Sequence, residues 1–396
     1  DPALTQPGPV LRTIQCCRRA GVTGARVLLA GEDRSESQRC HLDAWIAFER
    51  SLKQVWTGVD IAIVQMQATA GDAQETSLAP ARAEAWVQRL WDEQRSVTLE
   101  STLYCDGVRQ VERIVPLPPT DRSAGSKLRA GGTYLITGGL GGLGYLFAGC
   151  LARTYRANLL LIGRTQPDSA IEARLAELSV HGGRVVYEVA DVADRVQMRN
   201  ALDRGLAQLG ALHGVIHAAG TNTDDPVSTV DPASFDAILR PKLDGTLVLD
   251  ALLQEQSVDF ICHFSSSAAL FGDFGVCSYS FANRFQAAHA GRPDSNAFAI
   301  CWPYWRDGGM RFATEEAARL YLRSSGQRVL ERQEGFEVFE ALLSRFDDEG
   351  CRRTLVLAGE RERLDRLVGL GSHDPVRRDA HRATLSPRES SSRIDT

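Results

Sequence analysis

One glycine-dense run, residues 137–144 (Thr-Gly-Gly-Leu-Gly-Gly-Leu-Gly), constrains the fold of this chain more than any other feature. The residues leading into it, Thr133–Thr137, are apolar and β-prone and read as a short buried strand, and residues 145–155 read as a helix. A strand that enters a glycine turn and leaves it as a helix is the setting of a dinucleotide fingerprint. The turn needs a glycine where a Cβ is excluded, and close approach of a pyrophosphate needs another. The helix N-terminus then offers free N–H groups and a positive dipole end to phosphate. Two registers fit: Gly139, Gly141 and Gly144 give G-x-G-x-x-G, while Thr137, Gly138, Gly142 and Gly144 give T-G-x-x-x-G-x-G. The sequence does not choose between them. The predicted turn residues facing the cofactor are Thr137, Gly138, Gly139, Leu140, Gly141 and Gly144.

The next segments extend the same pattern. Residues 157–162 form a second apolar strand that ends at Gly163-Arg164. An acidic side chain there would accept from a ribose 2′-OH, whereas an arginine suits a 2′-phosphate, so NADPH is the predicted cofactor. A strand over 184–190 ends at Asp191-Val192, where a carboxylate can meet the adenine amino group. Gly214–His217 runs into Ala218-Ala219-Gly220, small residues that let ribose and nicotinamide lie against backbone. The alternation of strands and helices predicts an α/β chain with a doubly wound parallel sheet.

A second constellation lies downstream. A strand over 259–264 leads into Ser265-Ser266-Ser267, and a helix beginning near Ser278 carries Tyr279 and Asn283. An i, i+4 pair shares one helix face. Lys242 sits in a predicted helix over 232–254, which Pro241 should kink. Reduction of a ketone needs a hydride donor and a proton donor. Tyr279 can supply the proton, with Lys242 as a nearby cation that favours the tyrosinate left behind. Ser266 can hydrogen-bond the carbonyl oxygen, and Asn283 can orient Lys242 or a water chain. Each residue alone also fits a bland role: a core tyrosine, a surface lysine, a serine turn. Their joint occurrence beside a nucleotide turn does not.

On these residues the chain resembles the ketoreductase domains of modular polyketide synthases, within the short-chain dehydrogenase/reductase superfamily. Most of that superfamily has Tyr-x-x-x-Lys; here Tyr279-x-x-x-Asn283 is paired with Pro241-Lys242, an exchange typical of polyketide and fatty-acid synthase reductases. His217-Ala-Ala-Gly220, Phe264-Ser-Ser266 and the stretch 301–310 also match. Residues 302–310, 335–339 and 355–359 resemble the branch of assembly lines served by separate acyltransferases. The resemblance covers roughly residues 10–368. It implies a 3-ketoacyl thioester on the phosphopantetheine arm of an acyl carrier protein as substrate, with other domains of the same megasynthase as partners. An acidic carrier would call for a basic cleft mouth.

The resemblance also bears on stereochemistry. Asp224 matches the aspartate of one stereochemical class, although the full Leu-Asp-Asp form is absent; Phe271 stands where the opposite class has tryptophan. A D-configured (B-type) hydroxyl product is the expectation. Trp302 and Trp305 read either as pocket walls or as core packing, and 307–325 as either a lid or a fixed element.

Residues 1–120 carry an α/β pattern of their own, with strands over 25–30 and 61–67, helices over 42–56 and 79–94, and strands over 97–104 and 108–115. No phosphate-binding glycine run follows the first strand; Ala30-Gly31-Glu32-Asp33 puts carboxylates where phosphate would sit. This segment is expected to be a truncated Rossmann-like structural subdomain without cofactor, joined by a linker at 121–131 to a Rossmann-like catalytic subdomain at 132–370. Residues 371–396, poor in apolar periodicity, are expected to be a disordered interdomain linker. A chain beginning at Asp1 reads as a domain taken from something longer. A net charge of −5 gives no argument for nucleic acid. No apolar run approaches membrane-spanning length, and nine cysteines without a C-x-x-C or a Cys/His cluster point to reduced thiols, no metal site and a cytoplasmic setting. Two other readings remain open: the same chemistry on α-keto thioesters or free ketones, and a reductively silent domain that docks carrier proteins.

Overall fold

The computed structural model describes residues 2–68, 80–118, 127–221, 223, 225–293, 295–308, 314–348 and 350–370. The expectations for the 371–396 tail, for most of the 121–131 linker and for Asp224 lie outside the described residues.

The chain forms two sheets. The first half contains α1 (Pro2–Thr5), α2 (Pro7–Arg19), β1 (Ala25–Asp33), α3 (Glu36–Lys53), β2 (Val59–Gln67), α4 (Pro80–Arg95), β3 (Thr102–Cys105) and β4 (Val108–Val111). Its sheet has the order β1-β2-β3-β4, with only the last pair antiparallel. The second half begins with β5 (Thr133–Thr137), α5 (Gly142–Tyr155), β6 (Asn158–Gly163), α6 (Ser169–Ser179), β7 (Val185–Val189), α7 (Arg195–Leu209) and β8 (Gly214–His217). It continues with α8 (Pro232–Leu239), α9 (Asp244–Leu253), β9 (Phe260–Ser266), α10 (Ala268–Phe271), α11 (Cys277–Ala290) and β10 (Ala297–Trp302). It closes with α12 (Glu315–Ser325), α13 (Arg332–Leu343), β11 (Arg353–Leu355) and α14 (Arg361–Leu367). The seven parallel strands run in the order β11-β10-β9-β8-β5-β6-β7. The order reverses between β5 and β8, which opens a crevice at their carboxyl ends.

Two apolar layers sandwich this sheet. One packs Phe147, Phe264, Trp302, Trp305, Phe336 and Phe339; the other packs Leu135, Met198, Leu202, Leu249 and Leu253. A third cluster belongs to both halves: Trp45, Phe48 and Leu52 of α3 meet Phe281 and Phe285 of α11 and Phe235 of α8. Trp45 stands edge-on to Phe281 at 5.1 Å between centroids.

Beside that shared core lies a buried ionic cluster. Arg284 of α11, 1% exposed, grips Asp43 of α3 through two hydrogen bonds of 2.9 and 2.8 Å and reaches Glu112 at 2.9 Å. Arg353 and Arg50 also bind Glu112, at 2.9 and 3.0 Å. Burial alone would push the Glu112 carboxyl up, but the guanidiniums of Arg284, Arg353 and Arg50 outweigh it and hold the group well below the usual carboxylate range.

Several expected boundaries shift. The predicted single helix over 232–254 is two helices with a break at 240–243, because Pro241 cannot continue the hydrogen-bond ladder. The expected strand over 97–104 shrinks to β3, and α2 was not anticipated. All nine cysteines are free thiols. Among the described residues no helix is long and apolar enough to cross a membrane.

Arg284→Met leaves two carboxylates facing a vacated site, so a loss of about 3 kcal/mol is expected in urea unfolding. The depressed Glu112 carboxyl contributes stability that is present above pH 4.5, its ordinary value, and is lost as the pH falls. Glu112→Gln is therefore expected to be less stable at neutral pH and to show a shallower acid loss than the parent.

Candidate active site

The crevice at the β5/β8 reversal is a cleft of about 270 Å³. At one end stand Arg164, Asp191 and Val192, and at the other Lys242, Tyr279, Asn283 and Trp302. Thr137, Gly138, Gly141 and Gly144 form its floor, and Ala218, Ala219 and Gly220 one wall.

The turn after β5 is built by glycines for different reasons. Gly138 adopts φ +66°, and a Cβ there would lie 2.9 Å from the Ala219 backbone. A Cβ on Gly144 would lie 2.2 Å from the Gly138 carbonyl oxygen, so the first turn of α5 rests directly on the glycine turn. Gly141 is the N-cap of α5 and provides no side-chain cap, which leaves the first N–H groups of the helix without a capping side chain. The conformation and packing of Gly138 favour the register Thr137, Gly138, Gly142, Gly144. Gly139 and Leu140, predicted to face the cofactor, do not line the cleft. A Cβ on Gly139 would lie 2.8 Å from Leu161, and the Leu140 carbonyl accepts from Arg174 at 2.9 Å.

Thr137 works through its neighbours. Its hydroxyl is hydrogen-bonded to Nδ1 of His217 at 2.7 Å, which ties the ends of β5 and β8 together. Burial pushes His217 down to about 3. Arg164 is exposed at the cleft edge and enters no ion pair with a described residue. Asp191 is already paired with Arg240 at 3.3 Å and accepts from the Ala193 N–H at 3.0 Å.

At the far end, α11 brings Tyr279 and Asn283 to the cleft together, as their spacing predicts. The Asn283 amide donates to the Tyr279 carbonyl oxygen at 2.8 Å, and its buried Oδ1 has no partner. Burial raises the Tyr279 phenol, while contacts with Ser266 and Asn283 pull the other way. Ser266 is therefore beside the phenol, where its Oγ accepts from the Ala268 N–H at 3.2 Å. Ser265, not Ser266, lines the cleft, but its hydroxyl donates to the Asn283 carbonyl oxygen at 2.9 Å.

Lys242 lines the same cleft as Tyr279 and Asn283. Its buried Nζ donates to the Phe264 carbonyl at 2.8 Å and to Oε1 of Gln286 at 2.7 Å. Both acceptors are uncharged, and burial pushes the amine down to about 7. Gln286 was missed by sequence reasoning, although its position one turn beyond Asn283 on the same helix marks it.

Phe271 does not reach the cleft and lies against α3, in a polar cavity with Glu49, Arg50 and Gln54. Trp302 is both cleft wall and core, while Trp305 is core only, stacked over Gly335 of α13. Within the 307–325 segment, α12 is anchored by Tyr321, whose hydroxyl accepts from Gln327 at 3.0 Å and contacts Ser267.

The cleft fits a dinucleotide on structural grounds: a glycine cradle that a Cβ would fill, an uncapped helix start facing it, an unpaired arginine at one end and an orphaned Asn283 oxygen at the other.

Comparison with known proteins gives a consistent picture. Residues 132–307 match the family model of the KR domain. The chain is 39% identical to the polyketide synthase PksM of Bacillus subtilis (strain 168), over 91% of this chain and 8% of that protein. It is 35% identical to the polyketide synthase ThaG of Burkholderia thailandensis, over 93% of this chain and 6% of that one. It thus spans less than a tenth of the length of these relatives. Among solved structures, a ketoreductase domain from the bacillaene assembly line shares the fold with a TM-score of 0.76 at 23% identity, over 91% of this chain and 84% of that one.

Gly144→Ala forces a Cβ against backbone that cannot step aside. The expected outcome is a loss of about 2 kcal/mol in thermal or urea unfolding. Dinucleotide binding by calorimetry is expected to be lost with it.

Proposed function

The chain belongs to the ketoreductase (KR) domain family of polyketide synthases, and on that premise we propose that it reduces a 3-ketoacyl thioester, carried on an acyl carrier protein, to the 3-hydroxyacyl thioester with NADPH. The observation that carries this reading is the convergence of Tyr279, Asn283 and Lys242 with the glycine turn on one cleft. The relatives' printed names add the setting of a polyketide assembly line. Resemblance of the 302–310 stretch adds the branch served by separate acyltransferases.

NADPH, when bound, supplies the hydride. Thr137, Gly138, Gly141, Gly144 and the first N–H groups of α5 would hold its pyrophosphate. Ala218, Ala219 and Gly220 would give it a flat wall, and Asp191 and Val192 would bound the adenine. Arg164 would pair with the 2′-phosphate; its exposure and lack of an ion partner support that assignment.

The residues of the chain handle the proton. Tyr279 is placed to give its phenolic proton to the ketone oxygen as negative charge develops there. Ser266, beside the same phenol, donates to that oxygen and lowers the cost of the charge. A proton lost from Tyr279 must be replaced. An amine near neutrality, such as Lys242, can hold or pass one at physiological pH, and the unpaired Asn283 Oδ1 can order the group that carries it.

The N-terminal half is assigned a structural role. Gly31, where its first strand would offer a nucleotide turn, is roofed by Leu42 and Leu4 at 2.5 and 2.6 Å from a Cβ position. The hydroxyl product is assigned the D configuration, on the resemblance of Asp224 and on Phe271 standing where a tryptophan would mark the opposite class.

Turnover of a β-ketoacyl thioester surrogate, followed by NADPH oxidation, tests the reading. Tyr279→Phe is expected to lose about 10²–10⁴-fold in kcat with NADPH affinity retained. Arg164→Glu is expected to weaken NADPH about 10-fold or more and to leave NADH nearly unaffected. Chiral chromatography is expected to show the D product, and the L product would overturn the stereochemical assignment.

A further inference from the structure

Two loops begin at strand ends that line the cleft, one after Ala218–Gly220 and one after Phe264 and Ser265. One follows Gly220, between β8 and α8; the other, residues 267–276, joins Ser266 to the helix that carries Tyr279. Both hang from the N-terminal half by side chains that bind loop backbone. On α3, Arg50 Nη1 donates to the Leu270 carbonyl at 2.6 Å and Gln54 Nε2 to the Phe271 carbonyl at 2.9 Å. Ser51 Oγ accepts from the Asp273 N–H at 2.9 Å and is itself oriented by donating to the Ala47 carbonyl at 2.8 Å. On α2, buried Gln15 donates to the carbonyls of both Val227 and Val230, at 2.9 and 2.8 Å.

The fit is close enough to exclude side chains. Gly272 has φ +78°, and a Cβ there would lie 2.5 Å from the Ser51 nitrogen. Gly275 has φ +79°, with its Cβ position 3.1 Å from Val55. The two loops are also joined to each other, since the Val227 N–H donates to the Gly275 carbonyl at 3.0 Å. A chain of contacts thus runs from α2 through 227–230 and Gly275 to 270–273 and α3. A displacement of either N-terminal helix would move both loops.

We propose that Gln15, Arg50, Ser51 and Gln54 are positioning residues for the reduction: they fix the gap between the two loops, and so fix how the ketone and its acyl chain are presented to Tyr279. The inference rests on the ketoreductase reading. Among the described residues Gln15 and Gln54 bind loop backbone only, whereas Arg50 also pairs with Glu112 at 3.0 Å and Ser51 also donates to the Ala47 carbonyl at 2.8 Å, so the two glutamines act on substrate placement most directly through the loops. The loops would otherwise satisfy the same carbonyls with water and take several widths. A reaction that depends on near-attack geometry is sensitive to such a change.

The test uses the full chain with Gln54→Leu, Gln15→Leu and the double variant, and Arg50→Lys as the conservative control. A β-ketoacyl thioester with an α-methyl branch is the substrate. Steady-state kinetics, chiral chromatography of the product, NADPH titration and thermal unfolding are read in parallel. Each Leu variant is expected to raise KM about 10-fold and to erode the stereoisomer ratio by a similar factor, with NADPH affinity and the unfolding midpoint nearly unchanged. The double variant is expected to do less than the product of the two, because the loops are tied together. Arg50→Lys, which keeps a donor, is expected to hold the ratio.

Two results overturn the proposal while leaving the reductase reading intact: an unchanged ratio and KM in active variants, or a parallel loss of kcat, NADPH affinity and folding, which would mark a structural role only. A parent chain that binds NADPH but reduces no thioester overturns both.

Discussion

Helix α11 is buried on nearly every side, and the way it is held decides what the rest of the molecule can do. Trp45 and Phe48 of α3 cover Phe281 and Phe285 on one flank, while Ala287 and Ala290 meet the sheet layer on another. Arg284, on the same helix, carries a charge that water cannot reach. A buried guanidinium is tolerated only where carboxylates meet it with good geometry, and those carboxylates, Asp43 and Glu112, come from the N-terminal half. The helix that offers Tyr279 and Asn283 to the cleft is therefore only complete when both halves are present. The first α/β unit therefore supplies part of the packing surface and the counter-charges of α11.

The cleft itself is governed by desolvation. Lys242 lies in a buried environment with two neutral acceptors, and its amine falls toward neutrality. Nearby, His217 is driven to its neutral form by burial and is used as a strand tie with Thr137. The phenol of Tyr279 is buried in the same part of the cleft, and under the proposed reaction it is where a proton would leave and return. The exposed cation, Arg164, stands at the far end of the cleft. Separation of an exposed, polar end from a buried end follows from where the strands stop, since every predicted functional segment except the Lys242 break is the carboxyl end of a strand or the helix that follows it.

Much of this was legible in the residues. The glycine run, the strand ends at Arg164, Asp191 and Ala218, and the i, i+4 pair Tyr279 and Asn283 all lie on the cleft, because strand, turn and helix periodicities are local properties. What local rules leave open is non-local. The sequence left the glycine register open, and the positive φ of Gly138 with its close approach to Ala219 favours the one that contains Gly138. Gly139 and Leu140, expected at the cofactor, are not among the residues that line the cleft. No local rule shows that the Phe264 carbonyl and Gln286 each accept a hydrogen bond from Lys242. Phe271 looks like a substrate residue by position and proves to rest against α3. The clamp formed by Gln15, Arg50, Ser51 and Gln54 leaves no mark in local sequence, because each donor lies more than 200 positions from its acceptor.

The central claim is that this cleft moves a hydride from a nicotinamide to a ketone carbon. Transfer of label measures that step without reference to any variant. The chain would be incubated with a β-ketoacyl thioester and NADPH deuterated at C4, prepared separately on each face of the ring, and the product examined by mass spectrometry and NMR. The account predicts one deuterium at the carbinol carbon from one of the two labelled cofactors, and none from the other. Reduced product without deuterium from either cofactor, or bound NADPH with no product at all, would contradict it.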